Sequence, residues 1–100
     1  MIRGTTPTHS FVLPFGQEMI KTIEITYEQK FKTILKKKKD GVEFDGNLAS
    51  VKLTQKETFM FEDGPAVKIQ IRVLTPRGDV VASNPMFASV EECLSEEVLE

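Results

Sequence analysis

The sequence predicts an all-β protein, an antiparallel immunoglobulin-like β-sandwich of about seven short strands with a short acidic C-terminal arm, and three observations predict it. Val67-Lys68-Ile69-Gln70-Ile71-Arg72-Val73 alternates β-branched apolar residues with polar ones, the period of a half-buried strand. Ile23, Ile25 and Tyr27 repeat the pattern, with Glu24, Thr26 and Glu28 on the opposite face. Turn residues recur roughly every 8–12 positions, the spacing of a sandwich or barrel, and a five-stranded oligonucleotide-binding barrel is the alternative architecture.

The elements follow in order. Residues 1–8 form an extended lead-in, because Gly4, Pro7 and three threonines favour neither helix nor central strand, and its end is expected to be mobile. The main domain spans 9–90. Phe11, Leu13 and Phe15 alternate as a first strand, kept short or at an edge by Pro14. The second strand runs from about Ile20 to Gln29. The third, from about Phe31 to Lys37, would set Phe31, Thr33 and Leu35 on one face and Ile34 on the other. Asp40-Gly41 marks a turn, Val42-Glu43-Phe44 a very short strand, and Asp45-Gly46-Asn47 a stronger turn. Ala49, Val51 and Leu53 make a fifth strand, and Thr54-Gln55-Lys56-Glu57 has the spacing of a capping box, after which Phe59 and Phe61 drop toward the core. Ala66 to Leu74 is the strongest strand. Thr75 to Asp79 turns it into a return strand, Val80 to about Val90, which Asn84-Pro85 places at an edge or breaks in two. The predicted core is Phe11, Leu13, Ile23, Ile25, Tyr27, Val51, Leu53, Val67, Ile69, Ile71 and Val73.

Composition bounds the function. A chain of 100 residues, 40% hydrophobic and 28% charged, suits one globular domain. It opens without the apolar core of a signal peptide, and no stretch reaches the roughly 18 apolar residues of a membrane helix, so the expected setting is intracellular and without a membrane partner. One cysteine, Cys93, and one histidine, His9, supply neither an internal disulfide nor a four-ligand zinc site, and no cofactor is expected. Residues 91–100 carry five glutamates and no base, whereas the first 90 residues hold 13 basic against 10 acidic side chains. A tail of this kind is an arm or a solvated terminus.

Several features suggest chemistry, each with a plainer reading beside it. Lys36-Lys37-Lys38-Lys39 could neutralise phosphates, but Asp40, Glu43 and Asp45 follow at once and Phe31 and Phe44 fit the core pattern, so the run reads as a solvated loop or edge guard and nucleic acid is disfavoured as a partner. Arg77-Gly78-Asp79, an integrin-type tripeptide, is ordinary hairpin-turn chemistry. Cys93 and His9 lack a third residue to orient them, and glutamates beside the cysteine oppose a thiolate. Glu91-Glu92 and Glu96-Glu97 sit in a polar tail without the buried pocket that separates carboxylate pKa values. No enzymatic activity is expected. In the arm, Leu94, Val98 and Leu99 could form one side of a turn or two of helix if a partner covered them.

The chain resembles, end to end, a family of small proteins encoded in the prophages of Gram-positive gut bacteria. The likeness rests on Met1-Ile2-Arg3-Gly4-Thr5-Thr6-Pro7-Thr8-His9, Phe11-Val12-Leu13-Pro14-Phe15, Leu53-Thr54-Gln55-Lys56-Glu57-Thr58, Ile69-Gln70-Ile71-Arg72-Val73-Leu74-Thr75 and Leu94-Ser95-Glu96-Glu97-Val98-Leu99. These runs are strands, turns and a tail, so no catalytic or binding residue is carried over with them. The resemblance implies a virion or virion-assembly component of the tail or baseplate, similar in fold to the amino-terminal β-sandwich module of phage baseplate upper proteins. Its expected partners are other virion proteins or copies of itself as a homo-oligomer, and its expected location is the bacterial cytoplasm during assembly, then the virion. Lys36 to Lys39 is an unusually basic run for the family pattern. The candidate interaction residues are therefore Lys36, Lys37, Lys38 and Lys39, with Leu94, Val98 and Leu99 in the arm, which would reach an apolar groove of a neighbour. The hairpin from Ala66 to Val90 is expected to offer its exposed edge as part of an interaction surface.

Overall fold

The alternating runs and the turns between them build eight strands in a computed structural model that describes Met1–Glu100. They are β1 (Thr8–Val12), β2 (Thr22–Gln29), β3 (Lys32–Lys38), β4 (Glu43–Asp45), β5 (Leu48–Lys52), β6 (Val67–Leu74), β7 (Val80–Ala82) and β8 (Met86–Ala88). One helical turn, α1 (Gln55–Thr58), precedes β6. The strands pair antiparallel in two sheets, β1-β5-β4 and β3-β2-β6-β7, with β8 also paired to β6. The protein is an all-β sandwich.

Its strand order differs from the immunoglobulin arrangement, which places the second strand beside the fifth. Here β2 lies between β3 and β6. The two longest strands, eight residues each, pair over their whole length, from Thr22 opposite Leu74 to Gln29 opposite Val67. Ile23, Ile25 and Tyr27 thereby face inward beside Val73, Ile71 and Ile69. Strand count alone does not choose between the two orders; this ladder does.

Ten of the eleven expected core residues are buried, and Phe11 lies half-buried against the margin. Ile20, Val42, Ala49, Phe61 and Val90 complete the cluster. Buried polar groups are matched: the Gln29 side chain donates to the carbonyls of Glu62 (2.7 Å) and Pro65 (2.8 Å) and accepts from the Glu62 amide (2.8 Å), tying the loop before β6 to the end of β2. The capping box forms as its spacing predicts, with Glu57 N–H donating to Thr54 Oγ1 (3.1 Å) and Thr54 N–H to Glu57 Oε1 (2.9 Å).

The first strand begins and ends earlier than expected, at Thr8 and Val12, because Pro14 and the chain reversal after it take Leu13 and Phe15 out of the ladder. The lead-in is tied to the domain. Leu53 N–H donates to Pro7 O (3.0 Å), Thr58 Oγ1 to Thr5 O (2.9 Å) and Arg3 Nε to Phe61 O (2.6 Å). Gly4, at φ +76°, is pressed against the Phe59 ring so closely that a β-carbon would collide with it.

The β2–β3 hairpin is the largest departure from the sequence reading. Its loop has two residues, Lys30 and Phe31, with φ of 55° and 63°, and Gln29 lies opposite Lys32. This is a primed turn built without the usual glycine or asparagine. Thr33 then pairs with Glu28 but Leu35 with Tyr27, leaving Ile34 as the extra residue of a bulge. The bulge inverts the phase of β3. Leu35 and Lys37 turn inward opposite Tyr27 and Ile25, Lys36 and Lys38 turn outward, and Phe31 stands 91% exposed.

Candidate interaction surface

Three of the four lysines lie in a strand, which runs one residue past the expected end at Lys37. Lys36, Lys37 and Lys38 belong to β3, and Lys39 opens a 3-10 turn that ends at Gly41. Alternation sends the first three to different partners. Outside, Lys38 reaches Glu24 Oε2 at 2.7 Å and Lys36 the same oxygen at 3.8 Å, while Arg72 holds Oε1 at 3.0 Å. Inside, Lys37 pairs with Glu57 at 2.7 Å, joining β3 to α1. Lys39 Nζ donates to the carbonyls of Lys21 (3.1 Å) and Ile20 (3.4 Å). The hydrogen bond from Lys38 leads the effects that hold the Glu24 carboxyl below the usual range, with Arg72 and Lys36 adding to it against a smaller cost of burial. At Glu57 burial pushes upward, but Lys37 and the Thr54 amide outweigh it and the carboxyl is again lowered. All four lysines are thus engaged within the chain, at the edge of the larger sheet, where like charges discourage strand-to-strand pairing.

The acidic segment forms no helix; it begins with a bridge from Glu91 to Ile2 and continues without regular secondary structure. Glu91 N–H donates to Met1 O (2.9 Å), Arg3 N–H donates to Glu91 O (3.1 Å), and Arg3 also pairs with Glu96. The Gln55 side chain brackets Leu99, donating to its carbonyl and accepting from its amide, both at 2.8 Å. Val98 borders a shallow groove beside Thr6 and Lys52–Lys56. Leu94 and Leu99 face solvent. None of the ion pairs joins this segment to Lys36, Lys37, Lys38 or Lys39, although Lys37 and Leu99 both contact α1, at Glu57 and Gln55.

The remaining candidates have local roles. His9 Nδ1 lies 2.7 Å from the Tyr27 hydroxyl, and burial, followed by the N-terminal ammonium, holds its pKa below 6.5. Arg77-Gly78-Asp79 forms the expected β6–β7 turn, with Gly78 at φ +93°, Thr75 N–H donating to Asp79 O (2.8 Å) and Asp79 N–H to Thr75 Oγ1 (3.2 Å). No three His, Cys, Asp or Glu side chains converge as a metal-ligand set, and no helix is long and apolar enough to cross a membrane.

The geometry instead brings together an apolar groove and the β7–β8 edge. β1 stops at Val12, and past its end an apolar groove opens over the buried side chains of Ile71 and Val73. Leu13 and Phe15 wall one side of the resulting groove and Val81 and Ala82 the other, around a volume of about 190 Å³. Val81 remains 43% exposed, and Val80 and Phe87 are more open still. The edge is broken where Asn84-Pro85 stands. β7 pairs with β6 as Val81 opposite Val73, β8 as Phe87 opposite Lys68, a shift of one residue. At the break Ser83 Oγ accepts from Ile71 N–H (3.0 Å) while Ser83 N–H donates to Ile71 O (2.9 Å). The proline announced the break; nothing local in the sequence announced the groove, which arises from where β1 ends relative to β6. Comparisons with protein-family models, curated proteins and solved structures found no match.

Proposed function

We propose that this chain is a phage structural or assembly module, associated with the tail or baseplate, that acts through protein–protein contacts and not by catalysis. The supporting observation is the apolar groove continuous with the edge at Val80 and Val81, since exposed apolar surface beside unpaired strand edges is how sheets recruit a neighbouring chain. The resemblance to prophage-encoded proteins points the same way. Partners are other virion proteins or further copies of the chain, met in the host cytoplasm during assembly and retained in the particle. Binding of nucleic acid through Lys36 to Lys39 has less support, because those side chains already hold Glu24, Glu57 and two carbonyls.

The reading is tested in a lysogen. Inactivating the gene should leave heads with absent or incomplete tails after induction, and the chain should be found by mass spectrometry in purified particles or tail intermediates. Normal, infectious particles from the inactivated strain would overturn it. Salt-dependent binding of the purified chain to DNA, lost on replacing Lys36 and Lys38, would favour the alternative.

A further inference from the structure

Resting on that reading, we propose that the chain assembles head to tail, with Phe31 of one copy seated in the groove between Phe15 and Val81 of the next. The knob is unusual. Phe31 stands almost wholly in solvent on a turn whose two residues both hold positive φ, a conformation that a residue with a β-carbon adopts only at a cost. A bulky aromatic kept in such a place, when Asn-Gly would form the same turn without strain, points to use of the side chain.

The hole fits the knob in size and in charge. An apolar cavity of about 150 Å³ takes up benzene, and the groove offers about 190 Å³ lined chiefly by aliphatic and aromatic carbon. Phe31 is flanked by Lys30 and Lys32, and the Lys68 ammonium lies 5.9 Å from its ring centroid. Just past Phe15, which lines the groove, the Glu18 carboxylate folds against Gly16. No ion pair within the chain uses Glu18 or Lys32, so both charges are free to meet across a contact.

A chain cannot fill its own groove. The Phe31 turn adjoins the Val67 end of β6, whereas the groove lies against Ile71 and Val73, up to six residues further along, about 20 Å at the rise of a strand. The contact therefore joins different surfaces of two copies, and it gives a ring or a filament according to the rotation between them.

Sedimentation and mixing test the proposal on the purified full chain. The wild type is expected to self-associate with concentration, and Phe31→Ser and Val81→Arg are each expected to weaken this at least tenfold while keeping the β-type circular dichroism. Mixed one to one, they should form a heterodimer and nothing larger, because one partner retains only the groove and the other only the knob. Glu18→Lys, an exposed change, should also weaken association, and Lys32→Glu in the same chain should restore it. Association unaltered by Phe31→Ser, or no heterodimer on mixing, overturns the knob and groove while leaving the edge-mediated reading intact. A wild type that is monomeric at every concentration also overturns it, and the particle experiment then decides the role in assembly separately.

Discussion

The Tyr27 hydroxyl and His9 Nδ1 meet at 2.7 Å across the space between the two sheets, the one side-chain hydrogen bond from β1 to β2. Their rings stack with centroids 5.7 Å apart, and Tyr27 packs in turn against Phe61 at 6.0 Å. Burial, followed by the nearby Glu57 carboxylate, pushes the Tyr27 phenol up, so it is protonated at neutral pH.

This pair makes stability depend on mildly acidic pH. The folded-state pKa of His9 lies below 6.5, so between the two values the unfolded chain binds more protons and stability rises with pH. The contribution is complete above 6.5 and is lost as pH falls through the folded value. The melting temperature should drop on going from neutral pH toward about 5, and His9→Gln should flatten that slope. Proton NMR of the ring must give a midpoint below 6.5; one at or above it refutes the argument.

A second loss is expected at lower pH. Glu24 and Glu57 both titrate below 4.5 in the folded chain, so their contributions are whole above that value and fade as pH falls through the lowered ones. Glu57→Ala removes the reach back to the Thr54 amide and leaves Lys37 unpaired on the inner face, and should cost about 1–2 kcal/mol in urea melts. Lys36→Ala, which removes an exposed partner at 3.8 Å, should change little.

Ile71→Ala should cost about 2–5 kcal/mol, since the side chain is buried between Ile25 on the paired strand and the groove wall. A value near the lower end is expected because the groove lets the neighbours settle. A cost below about 1 kcal/mol would mean that Ile71 is not enclosed.

Replacing Lys30 and Phe31 by Asn and Gly should stabilise the monomer by about 1 kcal/mol, since the primed turn is then made by residues that accept positive φ and only exposed contacts are lost, the Lys30 ion pair to Glu62 and the Lys68 ammonium near the Phe31 ring. Chemical denaturation checks the sign. Destabilisation would show that Phe31 contributes packing that its exposure denies.

Removing residues 94–100 should alter the midpoint little, because Arg3–Glu96 and the Gln55 bracket on Leu99 lie at the surface. Removing 91–100 should lower it further, since the main-chain bonds of Glu91 to Met1 and Arg3 go as well. Equal midpoints for the two truncations would show that those bonds are not maintained.

What was legible in the chain was whatever repeats with the period of the backbone. β2, β5 and β6 show their inner faces as alternating apolar residues, and Thr54 and Glu57 show the cap. The β2–β3 turn was hidden because Lys30 and Phe31 adopt positive φ without being residues that favour it. Phe31 therefore stands in the turn, in solvent, and one bulged residue, Ile34, reverses which of the later β3 residues turn inward. The strand order and the groove were out of reach for a different reason: both depend on which distant segments pair, and period-two alternation carries no information on that.

The break at Asn84-Pro85 also limits what can go wrong at this edge. A foreign strand that matches β7 is one residue out of step by the time it reaches β8, and each half offers only three residues to bind. Open-ended templating into a cross-β ladder needs a longer, uninterrupted register. An exposed apolar border can in this way stay open without seeding fibrils.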